Sequence, residues 1–402
     1  MTTLLQNNKC IIRNNRLYIN NHLIFLQKKH TMKILEIIPT LGPGGGQSLV
    51  VDLCNELAKT ENVVLVTLRD DTQKYYGFMS KDLESSVNHS SLCLPETSNW
   101  LTMWGIYKII RKEKPDIVHF HMCITFSLLA VLLLGWRYKI VQTIHNDIKT
   151  SYSSIKYRLI ISITGWLRLS RFVTICNTNH SDFKRIYPGV DNTMIFNGRK
   201  SLKKTDLFQS VQQEILAMKP THDTKVYLHV ARCNPQKNQR LLIEGFNEFI
   251  KQGYDAILIV IGFRNEFPEE EVLKNIACDR IFFLGTKSNV ADYIYNSDCF
   301  ILSSAYEGMP ITVIEALNSG IPVVSTPVSG VVDVVESSKN GYISKDHSHK
   351  EYVKAIVQSF LKMSEIKEKT KQNVSNSQCT IVNCAAKYRN LFKNISRYDK
   401  KS

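Results

Sequence analysis

Residues 299–326 read CFILSSAYEGMPITVIEALNSGIPVVST, and this stretch is the clearest indication of the fold class. Its apolar run 299–303 predicts a buried strand, and the polar residues after the run predict a turn. Pro310 is well suited to the first turn of a helix, which we expect to end at Gly320, before a second strand. A strand, a helix and a strand in this order favour a parallel sheet.

The same alternation of short apolar runs and helix-length segments extends over most of the chain. Strands this apolar are typical of parallel sheets that are covered on both faces. They form two series, separated by a polar stretch at 198–222. The sequence therefore predicts two Rossmann-like, doubly wound α/β domains that face a central cleft, where ligands bind beyond the carboxyl ends of the strands. The candidate strands are 33–39, 63–68, 116–121, 140–144, 172–176 and 194–196 in the first series, and 226–231, 256–261, 281–284, 299–303, 322–326 and 341–343 in the second.

A glycine-rich loop follows the first strand. It contains Gly42, Gly44, Gly45 and Gly46 and leads into a helical pattern near Leu49. Glycines let a ligand approach the backbone closely, and a helix N-terminus offers free N–H groups to a phosphate or carboxylate. The loop lacks the G-x-G-x-x-G spacing of dinucleotide-binding folds. No Gly-Lys-Ser/Thr follows it either, which excludes a P-loop. A tight structural turn is the alternative interpretation.

Two cations follow the strand 226–231. Arg232 stands at its end, and Lys237 lies five residues further on, at the head of the next helical stretch. A planar guanidinium fork and a point-like ammonium group together match a diphosphate. The alternative is that both are solvated surface cations.

The stretch 299–326 contains two carboxylates. Glu307 lies in the turn where the strand ends, and Glu315 lies about one turn inside the following apolar helix. A buried glutamate needs hydrogen-bond donors, and sugar or ribose hydroxyls can supply them. The alternative is one exposed and one capping glutamate.

Together these features resemble the E-x7-E pattern of the family 4 glycosyltransferases, a retaining group with the GT-B fold. The resemblance covers nearly the whole chain from Met32, and it includes Asn197-Gly198 and the strand endings 115–121 and 143–145. Gln47 departs from it, because the family's loop often has Glu at this place. This departure weakens any prediction of acceptor contacts.

The resemblance implies a nucleotide-diphosphate sugar as co-substrate and a role for each motif. Glu307 would bind hydroxyls of the transferred sugar, and Glu315 would hold the nucleotide ribose. Arg232 and Lys237 would stabilise the diphosphate as negative charge develops on it. The predicted donor-binding residues are Gly44, Gly45, Gly46, Arg232, Lys237, Glu307, Gly308, Met309, Pro310 and Glu315. The predicted catalytic residues are Glu307, His145, Arg232 and Lys237.

Three histidines lie at the ends of predicted strands of the first series: His119 and His121 in the strand 116–121, and His145 directly after the strand 140–144. By the resemblance, His145 would lie near the sugar and the acceptor, with His119 and His121 as secondary candidates, although a core histidine is the commoner explanation for any one of them. No Asp-x-Asp pair occurs in the chain. We therefore expect no metal site and no cofactor, with cations and helix N-termini holding the diphosphate.

The resemblance also divides the chain. Residues 1–31 are expected to be an irregular and dispensable extension, with Met32 as a potential start. The predicted domains are an acceptor domain at 32–200, a nucleotide-sugar donor domain at 201–374, and a C-terminal helix at 375–402 that packs back toward the acceptor domain.

The net charge of +15 is unevenly distributed, because residues 101–200 hold 15 Lys and Arg against 5 Asp and Glu. Such a surplus points to contacts with phosphates or anionic lipid. No nucleic-acid-binding module is apparent, so we expect no nucleic acid partner.

Basic and aromatic residues between His145 and Cys176 favour peripheral contact with an anionic membrane. The alternative is a helix with a solvated basic face.

Cysteine spacing and hydropathy indicate the compartment. The ten cysteines form no C-x-x-C pair, which fits reduced thiols in the cytoplasm. The longest apolar stretch, Ile124 to Trp136, is shorter than the roughly 20 residues of a membrane span and indicates a buried or a shallow interfacial helix. We expect a cytoplasmic protein with no secretory signal, or one peripheral to the inner face of the plasma membrane.

The sequence thus predicts a hexosyltransferase that moves a hexose-type sugar to a hydroxyl of a glycan or lipid-diphosphate-linked acceptor, in surface polysaccharide biosynthesis. The alternatives are a sugar-nucleotide epimerase of the same fold and a non-catalytic nucleotide-sugar-binding subunit. The sugar, the base, the acceptor and the linkage stay open.

Overall fold

The computed structural model describes residues 10–13, 16–19, 22–24, 31–73, 75–264, 266–374 and 378–397. The chain forms two compact units, Met1–Met32 and Lys33–Ser402.

The first unit contains a three-stranded antiparallel sheet instead of the predicted irregular segment. Its strands are β1 (Cys10–Arg13), β2 (Arg16–Ile19) and β3 (His22–Ile24). Arg13 pairs with Arg16 and Ile19 with His22, so each connection has two residues.

The second unit begins with a seven-stranded parallel sheet. Its strands are β4 (Lys33–Ile38), β5 (Asn62–Thr67), β6 (Asn88–Ser91), β7 (Ile117–His121), β8 (Lys139–Ile144), β9 (Arg171–Thr174) and β10 (Asn192–Met194). Their order is β10-β9-β8-β7-β4-β5-β6. The accompanying helices are α1 (Gly45–Ala58), α2 (Asn99–Glu113), α3 (Ile124–Leu134), α4 (Ile148–Ser151), α5 (Ile155–Trp166) and α6 (Asn177–Ile186).

A six-stranded parallel sheet follows in the same unit. Its strands are β11 (Lys225–Val230), β12 (Ala256–Ile261), β13 (Ile281–Phe283), β14 (Cys299–Leu302), β15 (Val323–Ser325) and β16 (Gly341–Ile343), in the order β13-β12-β11-β14-β15-β16. The helices are α7 (Phe208–Met218), α8 (Gln239–Lys251), α9 (Pro268–Ile276), α10 (Val290–Tyr295), α11 (Ile311–Asn318), α12 (His349–Leu361), α13 (Met363–Asn373) and α14 (Ile381–Arg397).

The two sheets share one topology. In each, the first strand lies in the interior, and the strand order reverses beside it, between β4 and β7 and between β11 and β14. This is the doubly wound order of Rossmann-like domains, in which ligands bind at the reversal point. The predicted fold class is confirmed.

All twelve predicted strands occur, with their ends within two residues of the expected positions. The prediction missed β6, because its sequence Asn-His-Ser-Ser is polar and the strand lies at the edge of the sheet. An edge strand needs no apolar face on both sides, so hydrophobic patterning does not indicate it.

Strand β12 shows how the second core is built, since all six of its residues are buried. Ala256, Leu258 and Val260 pack with α8 and α12 on one face. Ile257, Ile259 and Ile261 pack with α7 and α11 on the other. Each buried Leu or Ile side chain contributes roughly 1.5–3 kcal/mol of hydrophobic stabilisation, which accounts for the unbroken apolar runs of the sequence.

Helix α14 packs on the first sheet and on α1. Its Tyr388 Oη lies 2.9 Å from Thr143 Oγ1 at the end of β8. The chain therefore returns from the second sheet to the first. Within the described ranges, no helix has both the length and the apolar character that crossing a bilayer requires.

Candidate active site

The two sheets of the second unit meet at two glycines. A β-carbon on Gly308, in the turn after β14, would lie 2.1 Å from the carbonyl oxygen of His145, which follows β8. A β-carbon on Gly45, where α1 begins, would lie 3.0 Å from Ile311 Cγ1, where α11 begins. Glycine at these positions lets the backbones approach closely. The carboxyl ends of strands from both sheets thus face one crevice, as predicted.

Glu307 and Lys237 form an ion pair in this crevice. Lys237 Nζ lies 2.5 Å from Glu307 Oε1, which also accepts a hydrogen bond of 2.7 Å from Ser304 Oγ. Glu307 Oε2 accepts one bond, from Gln236 Nε2 at 3.2 Å. The glutamate is 6% exposed and is therefore held in one orientation by three donors. Its Oε2 has capacity for a further donor.

Arg232 reaches from the second sheet to the first. Its Nη1 donates to Tyr75 Oη at 3.1 Å, and a β-carbon on Gly44 would lie 3.6 Å from its Nη2. Among the described residues, Arg232 forms no ion pair with a carboxylate. An uncompensated guanidinium beside a glycine-rich loop favours an anionic ligand.

The glycine-rich loop ends at the N-terminus of α1. Gly44 is the N-cap residue, and no described side chain caps this end. Ser48 N donates to Gly44 O at 3.0 Å, so the preceding amides of Gly45, Gly46 and Gln47 have no partner within the helix. Together with the helix dipole, these amides give the loop a positive potential next to Arg232.

The turn between β14 and α11 also touches the first half of the unit. Met309 is buried, and its carbonyl oxygen accepts a bond of 3.3 Å from Asn197 Nδ2. Pro310 is the N-cap residue of α11. The predicted residues Gly308, Met309 and Pro310 therefore form the segment that joins the two sheets at the crevice.

Glu315 has a partner that the sequence analysis missed. Arg199 Nε and Nη2 lie 2.9 and 2.8 Å from Glu315 Oε1, and Arg199 Nη1 also contacts Asp52 Oδ2 in α1. We expected ligand hydroxyls to supply the donors that buried Glu315 needs, but Arg199 supplies two of them. Burial raises the pKa of Glu315, and Arg199 offsets part of this effect. Burial lowers the pKa of Arg199, but Glu315 and Asp52 raise it above its usual value, so Arg199 stays charged.

The three candidate histidines form a buried network with Glu36 of β4. His121 Nε2 lies 2.8 Å from Glu36 Oε2, and His121 Nδ1 lies 2.9 Å from His145 Nε2. His119 Nδ1 also lies 2.8 Å from Glu36 Oε2, but without hydrogen-bond geometry. Glu36 of β4, His121 of β7 and His145, which follows β8, thus form a chain of contacts across three neighbouring strands.

The pKa values of this network fix its proton positions. Burial would raise the pKa of Glu36, but His119 and His121 lower it to about 2. Burial lowers the pKa of His121 to about 4 and that of His145 well below its usual range. At neutral pH, His121 therefore donates through Nε2 to the carboxylate and accepts through Nδ1 from His145. His145 Nδ1 is left as an acceptor, buried and without a partner among the described residues.

Glu36, His119 and His121 are also the one group of described side chains with the spacing of metal ligands, since their ligand atoms lie within 4.8 Å of one another. Both imidazoles approach the same carboxylate oxygen at 2.8 Å. His121 forms a hydrogen bond with this oxygen, and both distances are those of a direct contact between the side chains. No metal is assigned to them.

Two family models match the chain. The model for Glycosyltransferase Family 4 matches residues 43–199, and the model for Glycosyl transferases group 1 matches residues 212–377. Together they cover the second sheet, all of the first sheet except β4, and every predicted site residue. This chain belongs to the family 4 glycosyltransferases. The alternative prediction of an epimerase has no support from these models.

Individual relatives of this glycosyltransferase agree with the assignment. N-acetyl-alpha-D-glucosaminyl L-malate synthase of Bacillus anthracis is 26% identical over 253 residues, which are 59% of this chain and 63% of that enzyme, just under two thirds of its length. UDP-Gal:alpha-D-GlcNAc-diphosphoundecaprenol alpha-1,3-galactosyltransferase of Escherichia coli is 25% identical over 323 residues, or 74% and 76% of the two chains. Anabaena HepE, solved in complex with UDP and glucose, is 17% identical, with a TM-score of 0.71 over 90% of this chain and 100% of that one. This last similarity shows the fold alone.

A cavity of about 260 Å³ opens in the first half of the glycosyltransferase, beside the glycine-rich loop. Met122 lines it and also contacts the loop, because a β-carbon on Gly46 would lie 3.2 Å from Met122 Cε. Lys156 lines it without an ion pair to any described carboxylate. The remaining lining residues are Asn99, Ile124, Thr125, Phe126, Tyr152 and Tyr157.

An exposed apolar surface adjoins this cavity. On α5, Ile155, Leu159, Ile163 and Trp166 follow helical spacing on one side and are each at least 44% exposed. Trp136, at the end of α3, reaches the same place, because its Nε1 donates to Leu167 O at 3.4 Å. We name this surface the α3–α5 face. It comprises Leu132, Leu133, Trp136, Ile155, Leu159, Ile163, Trp166 and Leu167, and Arg137, Lys156, Arg158 and Arg168 accompany it in the sequence.

Proposed function

We propose that this glycosyltransferase transfers a hexose-type sugar, with retention of its anomeric configuration, from a nucleotide-diphosphate sugar to a hydroxyl of a glycan or lipid-diphosphate-linked acceptor. The observation that carries the proposal is the ion pair between buried Glu307 and half-buried Lys237, in a crevice that Arg232 and the amides of the glycine-rich loop also reach. One carboxylate for sugar hydroxyls and several cationic groups for a diphosphate are the chemistry that such a donor requires.

The cationic groups would act on the leaving group. When the bond between the sugar C1 and the diphosphate oxygen breaks, negative charge accumulates on the diphosphate. Arg232, Lys237 and the N-terminus of α1 are fixed donors that stabilise this charge in a site partly shielded from water. Lys237 donates one N–H to Glu307, which leaves two N–H groups that can donate to the phosphate.

Hydroxyl groups of the sugar and of the nucleoside would donate hydrogen bonds to acceptor atoms of the protein. Glu307 Oε2 has one protein donor, so it can accept from a sugar hydroxyl. His145 Nδ1 offers a second, uncharged acceptor. Glu315, one turn inside α11, is the acceptor for the ribose hydroxyls.

Retention needs no covalent intermediate in this proposal. The acceptor oxygen attacks C1 from the face that the diphosphate leaves. The new C1–O bond forms as the old one breaks, and the acceptor proton passes to a phosphate oxygen. The anomeric configuration of the purified product, read from its NMR coupling constants, tests retention directly.

We propose further that turnover requires neither a divalent metal nor another cofactor. The chain has no Asp-x-Asp pair, and Arg232, Lys237 and the loop amides supply positive charge for the diphosphate. Acceptor binding is assigned to the cavity beside Met122, where tyrosines can stack on a sugar and Lys156 can meet a phosphate.

The α3–α5 face next to this cavity supports a membrane-borne acceptor. Exposed apolar side chains accompanied by arginine and lysine suit the headgroup region of an anionic bilayer. The name of one relative agrees, since that enzyme acts on a diphosphoundecaprenol-linked sugar. We therefore propose a role in surface polysaccharide synthesis, as a peripheral protein on the inner face of the plasma membrane.

A donor screen in EDTA tests the proposal. Sugars linked to UDP, GDP, ADP and dTDP are added to the purified chain, and one nucleotide class is expected to raise the melting temperature by mass action. That donor should then release its nucleoside diphosphate only when an acceptor is present. Conversion of the donor without acceptor would indicate an epimerase. Absence of any stabilisation, or turnover that appears only with Mn²⁺ or Mg²⁺, would contradict the proposal.

A further inference from the structure

Arg199 joins two carboxylates that belong to different halves of the glycosyltransferase. It is 7% exposed, and its guanidinium contacts Glu315 of α11 on one side and Asp52 of α1 on the other. Lys200 Nζ, 3.3 Å from Asp52 Oδ1, balances the second negative charge. Four charged groups from three segments therefore form one neutral cluster.

The same guanidinium holds the start of α1. Arg199 Nη1 donates to Ser48 O at 3.2 Å. Ser48 lies in the first turn of the helix and donates its own N–H to Gly44 O in the glycine-rich loop. One side chain thus contacts both Glu315 and the turn whose amides face the crevice.

The backbone of Arg199 has no freedom to move away from this place. Its N–H donates to Cys379 O and its carbonyl accepts from Ile381 N, each at 3.0 Å. The preceding residue, Gly198, packs so closely that a β-carbon would lie 2.4 Å from Thr380 O. The segment before α14 therefore fixes the origin of the guanidinium.

The two oxygens of Glu315 have different surroundings. Oε1 receives both Nε and Nη2 of Arg199, at 2.9 and 2.8 Å. Oε2 accepts no hydrogen bond within the described part of the chain. Because two donors of the planar guanidinium converge on Oε1, this oxygen is held in place and Oε2 is the oxygen left for a ligand.

We propose that Arg199 is a positioning residue for the nucleotide: it orients Glu315 so that Oε2 meets the ribose hydroxyls, and it ties this contact to the first turn of α1. The inference rests on the proposed function, since it requires a nucleotide ribose at Glu315. It assigns to Arg199 no contact with the substrate. Arg199 acts through Glu315 and Ser48.

The variant Arg199→Lys distinguishes the orientation of the Glu315 carboxylate from the positive charge beside it. Arg199→Lys keeps a cation between the two acids but offers a point charge in place of the fork. The carboxylate of Glu315 is then free to rotate, so removal of a ribose hydroxyl should lower the affinity for the nucleotide less than it does in the wild type. A general loss of structure would instead weaken all nucleotides alike.

Calorimetric titration with UDP, GDP and ADP, and with their 2′-deoxy and 3′-deoxy forms, measures this preference. For the base that binds best, the wild type should prefer the ribonucleotide by roughly 10-fold or more, the effect of a hydrogen bond to a charged group. Arg199→Lys and Glu315→Gln should each reduce the ratio to within about 3-fold. Melting temperatures identify variants that fold, and Arg199→Gln, which donates a single uncharged bond, replaces Arg199→Lys where the latter does not.

Lys200→Gln is the matched control, because Lys200 touches Asp52 but not Glu315. It should keep the full ribose preference. An undiminished preference in the folded Arg199 variant, or an equal loss in Lys200→Gln, would overturn the inference and leave the proposed function intact. Failure of the wild type to bind any of the nucleotides would overturn both.

Discussion

His121 Nδ1 lies 2.9 Å from His145 Nε2, and the same imidazole reaches Glu36 through its other nitrogen at 2.8 Å. The carboxylate sets the proton on His121 Nε2, and this makes His145 an acceptor through Nδ1. We predict that Glu36→Gln lowers kcat by roughly 10-fold, because a neutral amide no longer fixes these tautomers. Steady-state kinetics with the preferred donor measure the loss. Glu113→Gln, which removes the charge beside Lys33, is the control and should leave kcat unchanged. Equal kcat values for Glu36→Gln and the wild type would contradict the network's role.

The pH dependence of activity and of stability follows from the same histidines. The pKa of His121 is lowered to about 4 and that of His145 well below its usual value, so both stay neutral below pH 6.5. The acid limb of kcat/KM should therefore lie well below pH 6.5. In the unfolded chain these histidines take up protons from about pH 6.5 downward, so the free energy of unfolding should fall as the pH drops from 6.5 toward 4. Kinetics and urea unfolding at pH 7.5, 6.0 and 5.0 test both statements. A half-loss of activity near pH 6.5 with unchanged stability would oppose them.

Gly308 controls the contact between the two sheets. In Gly308→Ala, the new methyl group would meet the carbonyl oxygen of His145 at 2.1 Å, so one backbone segment must shift. We predict a stability loss of roughly 1–3 kcal/mol, the usual cost of overpacking, together with a fall in kcat/KM. Gly245→Ala, in α8, is the control, because its β-carbon would meet side-chain atoms and no backbone: Tyr352 Cδ1 at 3.1 Å and Val353 Cγ2 at 3.7 Å. Urea unfolding and donor turnover are compared for the two variants, and equal behaviour would speak against a required close approach.

Much of the fold could be predicted because its signal is local. Apolar runs such as β12 are continuous where both faces of a sheet are covered, and they give the strands and the fold class directly. The polar edge strand β6 and the hairpins of the first unit carry no such signal. The carboxyl ends of the strands then predict where Glu307, Lys237 and Arg232 meet, because parallel strands all end at one edge of a sheet.

The partners of Arg199 and Glu36 could not be predicted in this way. Arg199 and Glu315 are separated by 116 residues, and Glu36 and His121 by 85. No spacing rule connects such positions. The available signal is weaker. Glu36 is the one acid in the apolar strand β4, and Asp52 is flanked by apolar residues in α1, and a buried acid needs a donor. This argument indicates that partners exist, but it does not identify them.

The α3–α5 face should bind anionic bilayers. We predict that the protein floats with vesicles of phosphatidylcholine and phosphatidylglycerol, and less with phosphatidylcholine alone. The pair Ile155→Ser and Leu159→Ser should lower binding at least about 10-fold, because each apolar side chain contributes roughly 1.5–3 kcal/mol on burial. Leu361→Ser is the matched control, since Leu361 is 64% exposed on α12 of the other half. A wild-type protein that stays entirely in solution with anionic vesicles would refute the lipid contact.

The central claim is that Glu307 and Lys237 act together on the sugar and the diphosphate of one donor. It is tested most directly by acceptor-dependent release of nucleoside diphosphate, measured for the wild type and for Glu307→Gln and Lys237→Met with melting temperatures recorded alongside. We expect kcat/KM to fall roughly 100- to 1,000-fold in each folded variant, the usual cost of removing one group that stabilises the transition state. Turnover within about 2-fold of the wild type in either variant would contradict it, since an effect so small is far below that cost.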